Sequence, residues 1–246
     1  MKRQLLILLF YLGNTNLFAQ DLTIKQLITK AENAIFTVFA ADEQGNTFSQ
    51  GSGFFISAQG VGITNYHVLD GAHSGYIKDK NGNKYKIKSI LDYNPNTDLV
   101  KFQVENTNLK SFNYLHISYR TQVKGEQIIN ISSPLGLEQT VSTGIISSIR
   151  TDEMHGSILQ ITAPISHGSS GSPVMDMKGN VVGIATFCRE GGQSLNFAVN
   201  ATQISKLSHK RNISVSQMNT NPLETKMVKS ANDAYFMGDT NKALSL

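Results

Sequence analysis

From Ile35 to Asn200 the chain is a succession of short segments rich in Ile, Val, Phe, Tyr and Thr, among them "AIFTVFA", "GVGITNYHV", "KYKIKSIL", "EQIINIS" and "NVVGIATF". Each closes on Gly, Asn, Asp or Pro, and no long helical pattern alternates with them. Such punctuation predicts some eleven or twelve strands joined antiparallel, in barrels or a sandwich, and argues against a parallel sheet with crossover helices. "DKNGNKY" around Asn81-Gly82 and "DMKGNVV" around Gly179-Asn180 read as tight hairpins, because these residue types tolerate positive φ. Roughly 180 residues of this kind are too many for one small barrel and suit two.

The ends differ in character. Residues 1–19 carry Lys2 and Arg3, then "QLLILLFYL", then polar residues leading to "LFA", the layout of a secretory leader cleaved near Ala19. The apolar run is shorter than the roughly 20 residues that span a bilayer, so no stable membrane insertion is expected after cleavage. Losing Lys2 and Arg3 lowers the formal net charge from +4 to +2, which gives no reason to expect a nucleic-acid partner. Cys188 is the single cysteine, so no intramolecular disulfide can form, and the six histidines show no paired metal-ligand spacing. "DLTIKQLITKAENA" predicts a short amphipathic helix on Leu22, Ile24, Leu27 and Ile28. We divide the rest into a domain over 20–212 and a segment over 213–246. In that segment "SVSQMNTNP" reads as a linker, and "ANDAYFMGDTNKAL" is similar to the start of a tetratricopeptide-like repeat within a helical tail.

Three separated segments carry groups that nucleophilic hydrolysis would need: a hydroxyl, an imidazole to take its proton, a carboxylate to orient the imidazole and N–H donors for an oxyanion. In "TNYHV" a strand leads into His67; taken alone, a lone histidine is more often structural. In "NPNTDLVKF" Asp98 opens a strand, where aspartate also serves simply as a turn residue. In "SHGSSGSP" small residues around Ser170 let the chain turn sharply, so that Gly168 and Ser170 could aim their N–H groups at one point, although a Ser/Gly loop is commonly only a loop.

Together "GSGFFIS", "GVGITNYHV", "TDLVKFQV", "GSSGSPV" and "SLNFAVN" resemble, in order and approximate spacing, the trypsin-like serine peptidases of the bacterial HtrA (Deg) type, over roughly Ile35 to Leu207. The resemblance implies an all-β fold of two six-stranded antiparallel barrels with the site between them, short helices at either end, and no cofactor. It implies His67 as general base, Asp98 as its orienting carboxylate, Ser170 as nucleophile and the N–H groups of Gly168 and Ser170 as the oxyanion hole. Asp92 is the rival carboxylate, and Ser166, Ser169 and Ser172 are rival nucleophiles; the family's motif selects Asp98 and Ser170. An S1 pocket would be lined by Asn196, Phe197 and Ala198, with Ile165 and Ser166 at its entrance. No aspartate stands at its base, so small or medium apolar P1 residues are expected.

The loop departs from the family's pattern. Ser169 stands where Asn or Asp is usual, Ser172 replaces a glycine and would be strained if that position required positive φ, and His167 sits where proline is common. About 34 residues follow the peptidase-like region, too few for the PDZ domain that HtrA proteins usually carry. The expected function is an exported serine endopeptidase, in the periplasm or outside a bacterium, acting on unfolded or damaged polypeptides. A catalytically silent binding or scaffold module of the same fold is the rival. A second copy of the chain, or a protein held by the C-terminal helices, are further partners this reading leaves open.

Overall fold

The computed structural model describes residues 23–106, 111–133, 139–152, 156–188 and 196–219. The leader and the repeat-like tail lie outside them. The first six strands are β1 (Ile35–Ala41), β2 (Thr47–Phe55), β3 (Val61–Thr64), β4 (Ser74–Asp79), β5 (Lys84–Asn94) and β6 (Leu99–Val104). They close into a barrel in the order β1-β2-β3-β6-β5-β4. The next six are β7 (Gln127–Ser132), β8 (Thr140–Asp152), β9 (Gly156–Ile161), β10 (Pro173–Asp176), β11 (Val181–Cys188) and β12 (Asn196–Asn200). They close in the order β7-β8-β9-β12-β11-β10, which is the same circuit counted from β7. All the pairings are antiparallel, and the two barrels share one topology.

The shared circuit has a local signature. The hairpins β4–β5 and β10–β11 occupy equivalent places, and both turn through Asp-x-x-Gly-Asn, at Asp79–Asn83 and Asp176–Asn180. In each, an aspartate Oδ1 accepts the N–H groups two and four residues on, at 2.9 and 2.9 Å for Asp79 and 3.0 and 2.9 Å for Asp176. The glycines sit at φ +84° and +82°, where a side chain would be strained. Asp42–Asn46 closes β1–β2 with the same residues.

Alternation along the strands sorts side chains into three apolar clusters. Phe36, Val38, Ile77, Val100 and Phe102 fill the first barrel, and Ile128, Ile146, Leu159, Val174 and Val182 fill the second. The third cluster is the seam between them, where Ile35, Phe54, Ile63 and Leu99 of one barrel meet Ile129, Met175 and Ile184 of the other. Helix α1 (Ile24–Ala31) lies on this seam. Its N-terminus is capped by Thr23 and Gln26, and Leu27 and Ala31 are buried, whereas Ile24 is left exposed. Eight residues form a marginal helix in isolation, so the burial of Leu27 and Ala31 is what holds it.

The sequence boundary at 212 falls inside packed structure. Ile213 and Ile90 exchange backbone bonds of 3.1 and 2.7 Å, and the segment read as a linker begins with a short helix α3 (Val215–Met218) whose Val215 and Met218 sit in the first barrel's cluster. Two apolar residues three apart were too sparse to stand out in a polar stretch. Asp92, the rival carboxylate, anchors this segment: Oδ2 accepts the Ser208 N–H and hydroxyl at 2.6 and 2.8 Å, and Oδ1 accepts Arg211 Nε at 2.9 Å. Partial burial pushes the Asp92 carboxyl up, but the bonds from Ser208, Arg211 and the Tyr93 N–H outweigh it and hold the group below the ordinary aspartate value.

A carboxyl held low in the fold binds fewer protons than in the unfolded chain. This anchor therefore stabilises fully above the ordinary carboxylate range and is lost as pH falls through the depressed folded value. Asp92→Asn is expected to cost about 1–2 kcal/mol at neutral pH, chiefly through Ser208, since the half-exposed Arg211 adds little. Thermal melts of the two proteins should converge as the pH falls below the depressed folded value.

Candidate active site

Three loops meet at the seam. The first follows β3: Asn65 stands at the N-cap position of helix α2 (Tyr66–Leu69) without a side-chain capping bond, and Tyr66, Val68 and Leu69 are buried in the first barrel. Burying these three turns His67 outward, with 45% of its side chain exposed. The second loop precedes β6. Asp98 sits there at φ +53°, a left-handed conformation that aspartate tolerates better than most residues. Its carbonyl is held by the Tyr66 N–H at 3.1 Å and Asn65 Nδ2 at 2.8 Å, which ties the second loop to the first.

Both carboxylate oxygens of Asp98 are engaged. Oδ1 accepts the His67 backbone N–H at 2.9 Å; Oδ2 lies 2.8 Å from His67 Nδ1 and accepts the Thr186 hydroxyl at 2.6 Å. A carboxylate can only accept, so Nδ1 carries the proton and the lone pair of a neutral imidazole lies on Nε2. Thr186 also joins the third loop, because its carbonyl accepts the Ser170 hydroxyl at 2.9 Å. One threonine thus touches both Asp98 and Ser170.

The third loop runs from β9 to β10. Ser166–Ser169 is a four-residue turn closed by the Ser169 N–H on Ser166 O at 2.9 Å, with Gly168 third at φ +88° as a type II turn requires. The N–H groups of Ser169, Gly171 and Ser172 all point inward, to Ser166 O, Ala185 O and Ser169 O. Those of Gly168 and Ser170 have no acceptor among the described residues, nor has that of His167 at the exposed rim. Gly171, at φ +87°, packs so closely on the first barrel that a Cβ there would lie 2.1 Å from Ser52 O.

The loop's departures from the family pattern are accommodated. Positive φ falls on Gly168 and Gly171, not on Ser169 or Ser172. Both serines are buried: Ser169 Oγ donates to Ser132 Oγ at 3.3 Å and accepts the Ser166 N–H at 3.2 Å, and Ser172 Oγ accepts Asn130 Nδ2 at 2.7 Å.

The remaining sequence candidates divide. Ile165 is half-buried against the second barrel's core, Ser166 is exposed beside it, and Asn196 Nδ2 donates to Ala163 O at 3.0 Å, bringing β12 against this loop. Ala198 is fully buried in the second barrel's core, and Phe197 points to the opposite face of β12 from Asn196 and Ala198. Sequence reasoning missed Thr186. Its signal was a hydroxyl inside the apolar run "GIATF", where it is 4% exposed. Among the described residues, no group of three or more His, Cys, Asp or Glu side chains is placed to hold a metal ion.

Two six-stranded barrels with a histidine, an aspartate and a serine loop brought together at their seam define the chymotrypsin-like architecture. Residues 51–184 match the family model described as a trypsin-like peptidase domain. The chain belongs to the trypsin-like peptidase family, and its similarity extends to DegP-like and HtrA-type proteases. It is 34% identical over 165 residues to a Synechocystis sp. protein named "Putative serine protease HhoB", covering 64% of this chain and 38% of that one. It is 33% identical over 141 residues to a Chlamydia muridarum protein named "Probable periplasmic serine endoprotease DegP-like", covering 56% and 28%. The chain therefore spans well under half the length of these curated relatives. Among solved structures, the serine endoprotease from Yersinia pestis superposes with a TM-score of 0.66 at 25% identity, over 82% of this chain and 68% of that chain.

Proposed function

We propose that the protein is an exported serine endopeptidase that cleaves unfolded or damaged polypeptides through an acyl-enzyme. The observation that carries this reading is the engagement of Asp98, whose oxygens hold His67 N–H, His67 Nδ1 and the Thr186 hydroxyl at 2.9, 2.8 and 2.6 Å. That arrangement leaves Nε2 as the base. In the first step Nε2 takes the Ser170 proton, Oγ leaves the Thr186 carbonyl and attacks the scissile carbon, and Asp98 stabilises the imidazolium. The N–H groups of Gly168 and Ser170 receive the negative oxygen. The imidazolium then protonates the leaving amine, and water, deprotonated by His67, hydrolyses the ester.

The half-buried Ile165, two residues from the Ala163 carbonyl that Asn196 holds, supports a small or medium apolar P1 residue. Export follows from the leader-like residues 1–19 and accords with the periplasmic naming of the Chlamydia relative. The test is to treat the full chain with a fluorophosphonate probe, map the modified peptide and assay casein cleavage in parallel. Modification at Ser170 with cleavage is expected. If the protein neither labels nor cleaves, the reading fails and a silent binding module of this fold takes its place.

A further inference from the structure

We propose that Ser52 is a positioning residue that holds the oxyanion loop in its donating conformation; this rests on the peptidase reading above. Ser52 lies on β2, on the far side of the seam from the nucleophile, and is fully buried. Its hydroxyl donates to Gly168 O at 2.7 Å, and its backbone N–H donates to Ser170 O at 2.7 Å. The hydroxyl cannot point elsewhere, because it accepts the Ser133 N–H at 3.0 Å and so offers its own hydrogen to the carbonyl. The Ser52 carbonyl is in turn fixed by the Thr64 hydroxyl at 2.8 Å.

The consequence lies in the peptide planes. The 168–169 peptide is pinned at both ends, its oxygen on Ser52 Oγ and its N–H on Ser166 O. The 170–171 peptide is pinned likewise, its oxygen on the Ser52 N–H and its N–H on Ala185 O. Because each peptide is a rigid plane, these bonds set both flanks of the unit between them, 169–170, and one flank of 167–168. These are the two units that carry the Ser170 and Gly168 N–H groups. One residue thus grips the carbonyls of both proposed donors. Gly51 permits the approach, since a Cβ there would lie 2.9 Å from Ser170 O and 2.6 Å from a Val68 methyl.

Ser52 touches no substrate in this arrangement, so its loss should move kcat and leave KM alone. Ser52→Ala is expected to lower kcat on a fluorogenic casein peptide by about 10- to 100-fold, less than removal of a donor itself, and to slow fluorophosphonate modification by a similar factor. Ser52→Cys, close in size but a weak donor, should behave alike and guards against a folding defect in the alanine variant. Thr37→Val is the control: Thr37 pairs with Ser52 in the sheet and its hydroxyl meets Ser133 Oγ at 2.8 Å, but it does not bond the loop. It should keep kcat within about twofold.

Amide hydrogen exchange reads the same device without catalysis. The Ser169 and Gly171 N–H groups should exchange at least about tenfold faster in Ser52→Ala and at the wild-type rate in Thr37→Val. If wild type neither cleaves nor labels, the peptidase reading fails and the exchange experiment alone judges Ser52. If folded Ser52→Ala or Ser52→Cys retains kcat within twofold of an active wild type, or exchange at these amides is unchanged, the role assigned to Ser52 is wrong.

Discussion

Ser170→Ala is expected to lower turnover by about 10⁵- to 10⁶-fold while leaving the fold and substrate affinity nearly intact. Among the described residues the side chain removed makes one bond, to the Thr186 carbonyl at 2.9 Å, and the residue is only half-buried, so the stability cost should stay within about 1 kcal/mol. The backbone N–H of residue 170 remains, as do Gly168 and the loop's inward bonds. The variant should therefore bind polypeptide as the wild type does and leave only the slow hydrolysis that oriented donors support. A loss of affinity in step with activity would mean that Ser170 is a binding residue and the nucleophile lies elsewhere. Ser166 is exposed and Ser169 and Ser172 are buried in bonds of their own, so none of them offers a ready substitute.

Asp98→Asn should cost about 10⁴-fold in kcat, again with little change in stability. Asparagine tolerates the φ of +53° as well as aspartate does, so the backbone that Tyr66 and Asn65 grip is not disturbed. The chemistry is disturbed. With Oδ1 kept on the His67 N–H, the amide nitrogen faces His67 Nδ1 and donates to it, which places the imidazole proton on Nε2. The base then has no lone pair for Ser170. Thr186 can rotate to accept from the new amide, which is why the loss appears in kcat and not in the melting temperature. A kcat within tenfold of wild type would show that Asp98 serves the turn and not the reaction.

Much of the architecture could be read from local composition. Turn residues at short intervals marked the strands, and Asp-x-x-Gly-Asn marked equivalent hairpins in both barrels. β10 was the hardest strand to separate, because Pro173–Asp176 is four residues long, opens on proline and adjoins the serine loop; its identity comes from pairing with β7 and β11. α3 was missed because Val215 and Met218 become apolar anchors only where the first barrel receives them. At the site, residue types and their order pointed to His67, Asp98 and Ser170, but the direction of a backbone N–H is not written in residue types. It depends on Gly168 taking positive φ, on an acceptor from β11 and on donors from β2. Thr186 and Ser52 were unread for the same reason: a hydroxyl acquires a role only when a distant loop brings it a carboxylate or a carbonyl. On β12, composition could not say that Asn196 and Ala198 share a face and Phe197 takes the other.

The central claim is a covalent ester on Ser170, and pre-steady-state hydrolysis of p-nitrophenyl acetate tests it most directly. The full-length protein should release a burst of roughly one equivalent of nitrophenolate per chain, followed by a slower steady rate, with the acetyl group recovered on the peptide containing Ser170. Ser170→Ala should show no burst. A burst of equal size in that variant, or an acetyl group found on another residue, would contradict the account.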